Sequence, residues 1–132
     1  GFGFFFFRIR RPPGSPRFPY TTLFRSRMER AYDDWKNGRW SRDPYTDVLI
    51  PTMTDPTMAP PGKHYMSVFV QYAPAKLATG AWTDKDRDAF GSTVIDQIAE
   101  YSPNFKDLIV HVEVRSPQDI ENEIGLDRKS VV

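Results

Sequence analysis

Cysteine is absent from all 132 residues, which excludes disulfides, thiolate nucleophiles and Cys-ligated zinc sites together. The redox compartment stays open for the same reason. Histidine is scarce as well: His64 and His111 are the two copies, too few for an imidazole-rich metal site. Long apolar runs are missing too, since Phe4–Phe7 falls far short of the roughly 20 residues a membrane-crossing helix needs. Finally, residues 1–26 contain no acid and five Arg, whereas residues 27–126 carry 11 basic and 16 acidic side chains, a net of −5. The formal charge of +1 therefore hides a basic head joined to an acidic body. Seven of the ten Phe fall in the same head.

The head fails the usual targeting patterns. A secretory signal places basic residues before its apolar segment, but here Phe4–Phe7 precede Arg8, Arg10 and Arg11. A mitochondrial presequence needs an amphipathic helix, which Pro12, Pro13, Pro16 and Pro19 prevent. The expected location is the cytoplasm, with peripheral membrane association, or mitochondria in a eukaryote, as the alternatives. Interleaved aromatic and basic residues allow one functional reading of the head: an arm of a small α+β binding module that contacts nucleic acid or an acidic surface. Charged, proline-rich segments are more often simply disordered.

The genetic code offers a different account. Tyr20–Ser26, "YTTLFRS", can be written TAC ACG ACG CTC TTC CGA TCT, which resembles the end of a widely used short-read sequencing adapter. The reverse complement of that DNA, read in one frame, encodes Asp-Arg-Lys-Ser-Val-Val, the sequence of Asp127–Val132, and a stop follows when Pro19 is written CCC. One inverted DNA element thus accounts for both ends, and Phe4–Phe7 resembles a translated T-rich homopolymer. The expected division is an artefactual or disordered head at 1–26, a biological segment at 27–126 and an artefactual tail at 127–132. No nucleic-acid partner is expected on this reading.

Within the body, "RMERAYDDWKNGRW" predicts a short helix over Met28–Lys36 stopped at Asn37-Gly38. A strand is expected near Asp47–Ile50, ended by Pro51, then a proline-rich connection with turns at Asp55-Pro56 and Pro61-Gly62. His64–Tyr72 predicts a central strand: Met66, Val68, Val70 and Tyr72 line one face, and Tyr65, Ser67, Phe69 and Gln71 the other. Thr83 and Asp86 predict a reciprocal cap for a helix whose buried stripe is Phe90, Val94, Ile98 and Tyr101, with Pro103 beyond its end. Leu108–Arg115 is a third strand, followed by a helix with Ser116 as cap, Pro117 at its first position and Gly125 past its end. The expected fold is α+β in the order α-β-β-α-β-α, with disordered non-native ends. A body of this size buries a modest core and reads as one layer of something larger.

Candidate chemistry is sparse. His111 and Glu113 alternate on one strand, but the zinc-deaminase pattern they half match also requires two cysteines. Gly62-Lys63 lacks both the earlier Gly and the following Ser/Thr of a phosphate loop, since His64 stands in that place. Asp84, Asp86 and Asp88 read as a solvated first helical turn rather than a metal site. Gly1-x-Gly3 has no third Gly and no strand before it, so it is no dinucleotide fingerprint.

Several longer stretches carry a resemblance. Ile50-Pro51, Asp55-Pro56, Ala59-Pro60-Pro61-Gly62-Lys63-His64, Gln71-Tyr72-Ala73-Pro74, Pro103-Asn104-Phe105-Lys106-Asp107 and Pro117 together resemble a segment in the C-terminal half of phytoene dehydrogenase-like FAD-dependent oxidoreductases. Within them the chain looks most similar to the pyridine nucleotide-disulfide oxidoreductase domain-containing group, over nearly all of Arg27–Gly125. The resemblance implies a two-domain flavoprotein, related to phytoene desaturases and amine oxidases, that oxidises a hydrophobic small-molecule substrate by hydride transfer to FAD. This chain then corresponds to an internal fragment on the substrate-domain side, without the dinucleotide motif and without FAD of its own, inactive alone. The apolar face of Met66–Tyr72 is a candidate substrate wall, with a core role the more frequent use of such a face. No catalytic, cofactor-binding or metal-ligating residue is carried over, and the sequence is silent on oligomeric state.

Overall fold

The computed structural model describes residues 2–10 and 23–125, with side chains given for 6–8 and 26–125. The tail expected to be artefactual, Asp127–Val132, and the middle of the head, 11–22, lie outside the described residues. The chain runs β1 (Phe2–Arg10), α1 (Leu23–Lys36), β2 (Tyr45–Leu49), two single-turn 3-10 helices (Pro51–Met53 and Pro56–Met58), β3 (Lys63–Gln71), α2 (Asp84–Tyr101), α3 (Phe105–Leu108), β4 (Ile109–Arg115) and α4 (Pro117–Ile124). The mixed helix-and-sheet class is that expected from the sequence. The element order differs by two additions, the strand β1 and the one-turn helix α3.

β1 is the main departure from expectation, because part of the head taken for disordered forms a central strand. The four strands make one antiparallel sheet in the order β2-β3-β1-β4. A run of Phe favours extended backbone and buries large apolar surface. Phe7 is fully buried and meets Phe105 edge-on at 5.7 Å between ring centroids. α1 also starts earlier than its Met28 expectation, at Leu23.

β3 occupies the central position its two-sided apolar pattern predicts, between β2 and β1. Met66, Val68 and Val70 are buried on the side facing α2, where Phe90 and Val94 complete the core. Full burial of a side chain of Phe90's size contributes about 1.5–3 kcal/mol relative to exposure. The α2 stripe is narrower than its spacing suggests: Ile98 packs at the core margin, and Tyr101 is exposed. The Tyr101 hydroxyl accepts from Arg27 Nη1 at 3.0 Å, which ties α1 to the end of α2.

The helix ends follow the sequence closely. The Thr83 hydroxyl accepts from Asp86 N while the Asp86 carboxylate accepts from Thr83 N, and Ser116 and Asp119 repeat this reciprocal arrangement at α4. Gly125 caps α4 at φ +68°. Gly38 ends α1 in a left-handed turn, φ +67°, where a Cβ would stand 2.7 Å from Ala78 N. That close approach lets Ala78 N donate to Gly38 O at 2.9 Å, joining two loops that are distant in sequence.

Candidate functional site

The residues singled out from sequence are dispersed rather than gathered. His111 and Glu113 project from the same face of β4 and are exposed. Glu113 is engaged by Arg115 at 2.8 Å. Asp84 pairs with Arg87, Asp86 caps its own helix, and Asp88 stands at a cleft between α2 and β4. Among the described residues no three His, Asp or Glu side chains are placed to hold a metal ion. Gly62, at φ +74°, forms the turn in which Lys63 N donates to Pro60 O. The loop therefore feeds β3. His64 Nδ1 lies 3.0 Å from Thr52 Oγ1, which also accepts from Tyr65 N at 3.3 Å. This is a structural tether of the proline-rich connection. Gly3 lies within β1, and Gly1 lies outside the described residues.

A cluster not anticipated from sequence joins α2 to α4. Arg87 grips Asp119 through two parallel bonds, Nε to Oδ2 at 2.7 Å and Nη2 to Oδ1 at 2.5 Å, and reaches Asp84 at 2.9 Å. Such a two-point carboxylate clamp uses the planar fork of arginine. Arg87, supported by the Ser116 hydroxyl and amide, holds the Asp119 carboxyl down to about 2. The signal was present in Ser116-x-x-Asp119, the same spacing as Thr83-x-x-Asp86. Nothing local points to Arg87 as the partner. Its cation is fully engaged by acids, so the adjoining cleft of about 480 Å³, walled also by Ile95, Val112 and Val114, offers no free positive charge.

The sheet face opposite α2 is a second feature open to a ligand or partner. The described side chains on that face, including Phe6, Tyr65, Phe69 and Leu49, are half-buried or exposed, in contrast to the buried helix-facing set. Phe6 stacks on Tyr65 at 5.8 Å, and the Arg115 guanidinium sits 5.9 Å above the Phe6 ring. Partial burial raises the Tyr65 phenol above its ordinary range, with Glu113 adding to the rise. Asp47, Arg8, Glu113 and Arg115 share that face, so the part of it that suits contact with apolar matter is the aromatic patch of Phe6, Tyr65 and Phe69. The face of Met66, Val68 and Val70, a candidate substrate wall for which core is the more frequent role, is core, packed with Phe90 and Val94 of α2.

Tyr72 marks the end of that sheet. Among the described residues it is the one non-glycine with positive φ, +64°, a conformation costing roughly 1–2 kcal/mol. The turn sends its ring to Tyr32 and Trp35 on α1, at 5.7 and 6.5 Å. It also buries Ala73 and presents Pro74 O to Trp82 Nε1 at 2.8 Å. The strain thus positions two separate aromatic contacts.

The N-termini of α2 and α4 do not fit the diphosphate of a dinucleotide. A helix N-terminus receives a diphosphate through free amides after a glycine turn. At α2 the first turn carries Asp84 and Asp86, and at α4 Asp119 already takes the Ser116 amide while Pro117 supplies no N–H. Acids at both sites repel a second anion.

No family model matches the chain. Over 100 residues, 75% of this chain, it is 37% identical to the rat protein named pyridine nucleotide-disulfide oxidoreductase domain-containing protein 2. The mouse protein of the same name is also 37% identical over 95 residues, 71% of this chain. The matched stretch spans 17% and 16% of those proteins, so this chain represents about a sixth of the length of the curated relatives it matches.

Proposed function

Similarity at 37% identity over three quarters of the chain supports the pyridine nucleotide-disulfide oxidoreductase domain-containing protein 2 family, and from that premise we propose that residues 27–126 are the substrate-domain side of a longer FAD-dependent oxidoreductase. The single observation carrying this is that identity, which extends along most of the body rather than through one short motif. The proposed reaction is oxidation of a hydrophobic small molecule of the phytoene desaturase or amine oxidase kind, with hydride delivered to flavin. FAD is assigned to the remainder of the longer protein; the N-termini of α2 and α4 are occupied by their own acids. The role assigned to this segment is to present the Tyr65–Phe69 side of its sheet toward the rest of that protein. Alone it carries no turnover.

The non-native origin of residues 1–26 and 127–132 belongs to the same proposal, supported by the fact that Tyr20–Ser26 and Asp127–Val132 can be written as reverse complements of one DNA element. The competing reading, a basic arm of a standalone binding module, needs the head to be available. Against it, Phe7 is buried and Phe6 is stacked on Tyr65. Location is proposed as cytoplasmic; among the described residues no helix is long and apolar enough to cross a membrane.

The test is purification of the polypeptide encoded by the complete locus. It should carry flavin absorbance that bleaches on adding an oxidisable apolar substrate. A full-length product that is colourless and takes up no added FAD removes the enzyme reading.

A further inference from the structure

The central strand β1 fits its position unevenly. Its backbone pairs with β3 without interruption from Phe2↔Gln71 to Arg10↔Lys63, but its pairing with β4 breaks between Arg8 and Ile9 and leaves Val110 out of register. A strand with one buried face normally fixes its register by alternation, because a slip of one residue would exchange the faces. Phe4–Phe7 has no alternation, so a slip there still puts Phe on both sides. β1 also lies before the stretch that carries the family resemblance, whereas β3 and β4 lie within it.

β3 and β4 are nevertheless shaped to receive a strand. Both turn apolar side chains toward α2, Val68 and Val70 from one, Val112 and Val114 from the other, around Phe90 and Val94. Each would otherwise show a row of unpaired backbone donors and acceptors toward the gap. Resting on the reading that this segment belongs to a longer chain, we propose that the slot between β3 and β4 is filled in the complete protein by an extended segment of the same polypeptide. That segment runs opposite to both strands, is apolar on the side facing Phe90 and Val94, and has Phe2–Arg10 as its substitute here. The occupant is assigned to the same polypeptide because about five sixths of each curated relative lies outside the matched stretch.

Cysteine pairs on the open face test this. Phe6 pairs with Ser67 on one side and Glu113 on the other, so Ser67 and Glu113 stand two strand spacings apart, about 10 Å. Leu49 and Ser67 are direct neighbours. A disulfide needs Cα atoms within roughly 7 Å. In the rat relative, cysteines replacing the residues aligned with Leu49 and Ser67 should oxidise to a disulfide. Those aligned with Ser67 and Glu113 should not, yet should be linked by a bis-maleimide of about 10 Å reach, as should Ser67→Cys with Glu113→Cys in the present chain. A disulfide between the Ser67 and Glu113 positions of the relative means the two strands close on each other and overturns the proposal. Absence of the Leu49–Ser67 disulfide means the relative lacks this sheet, which defeats the family reading along with it. A 10 Å link found only in a dimeric fraction assigns the strand to a second copy and overturns the same-chain assignment.

Discussion

Replacing Asp119 by Asn should destabilise the fold at neutral pH and lose most of that effect in acid. The substitution keeps an acceptor for the Ser116 amide but removes the charge held by both arms of Arg87. Asp119 falls from an ordinary 3.8 to about 2, and a fall of that size corresponds to at most about 2.5 kcal/mol. Solvent reaches the pair at its edge, the two side chains being 22% and 19% exposed, and screening lowers the expected loss to about 1–1.5 kcal/mol. The sign follows from the direction of the shift. A carboxyl depressed in the folded state stabilises fully above its unfolded value, and that contribution fades as pH falls from about 4 toward 2. Urea unfolding of the parent chain and of Asp119→Asn, at pH 7 and at pH 2.5, reads the difference at each pH. A gap that is the same at both values, or no gap at pH 7, refutes the charge-clamp account of Arg87 and Asp119.

Phe7→Ala should cost about 3–5 kcal/mol by urea unfolding, because the ring is fully buried against Phe105; a loss below 1 kcal/mol would mean β1 does not hold its place in solution. Gly38→Ala combines a left-handed φ with a Cβ 2.7 Å from the Ala78 backbone and should lower stability by about 2–3 kcal/mol. Gly125→Ala shares the φ but meets open space, so about 1 kcal/mol is expected; equal losses at the two sites would remove the role given to the Gly38–Ala78 contact. Trp82→Phe leaves Pro74 O without its indole donor and should cost about 1–3 kcal/mol, measured by the same unfolding; no change would show that the hydrogen bond adds nothing beyond ring packing.

Where local chemistry decides, the sequence was readable. Thr83 and Asp86, Ser116 and Pro117, Gly38 and Gly125 each act through backbone groups a few residues away, and each stands where its spacing put it. The two-faced pattern of β3 correctly implied neighbours on both sides. Long-range partners were another matter. Arg87 and Asp119 are 32 residues apart and meet because α2 and α4 converge, and no periodicity encodes that convergence. Tyr101 has the spacing of a core residue but sits where α2 runs past the sheet, so it takes Arg27 as a partner instead. β1 was missed because a homopolymeric Phe run carries no period. Its inclusion in the sheet follows from the pairing that β3 and β4 both leave available. Of the candidate face only β3's share, Tyr65 and Phe69, was legible, through alternation, since the rest is assembled from residues on other strands.

The most direct test of the central claim is the genomic DNA sequence across both ends of the segment. If residues 27–126 are internal to a longer flavoprotein, the coding sequence should continue upstream of Arg27 into a Gly-x-Gly-x-x-Gly dinucleotide fold and run on past Gly125 into further flavoprotein sequence in place of Asp127–Val132. Genomic codons that instead encode Phe2–Ser26 directly before Arg27, and Asp127–Val132 followed by a stop, would contradict it.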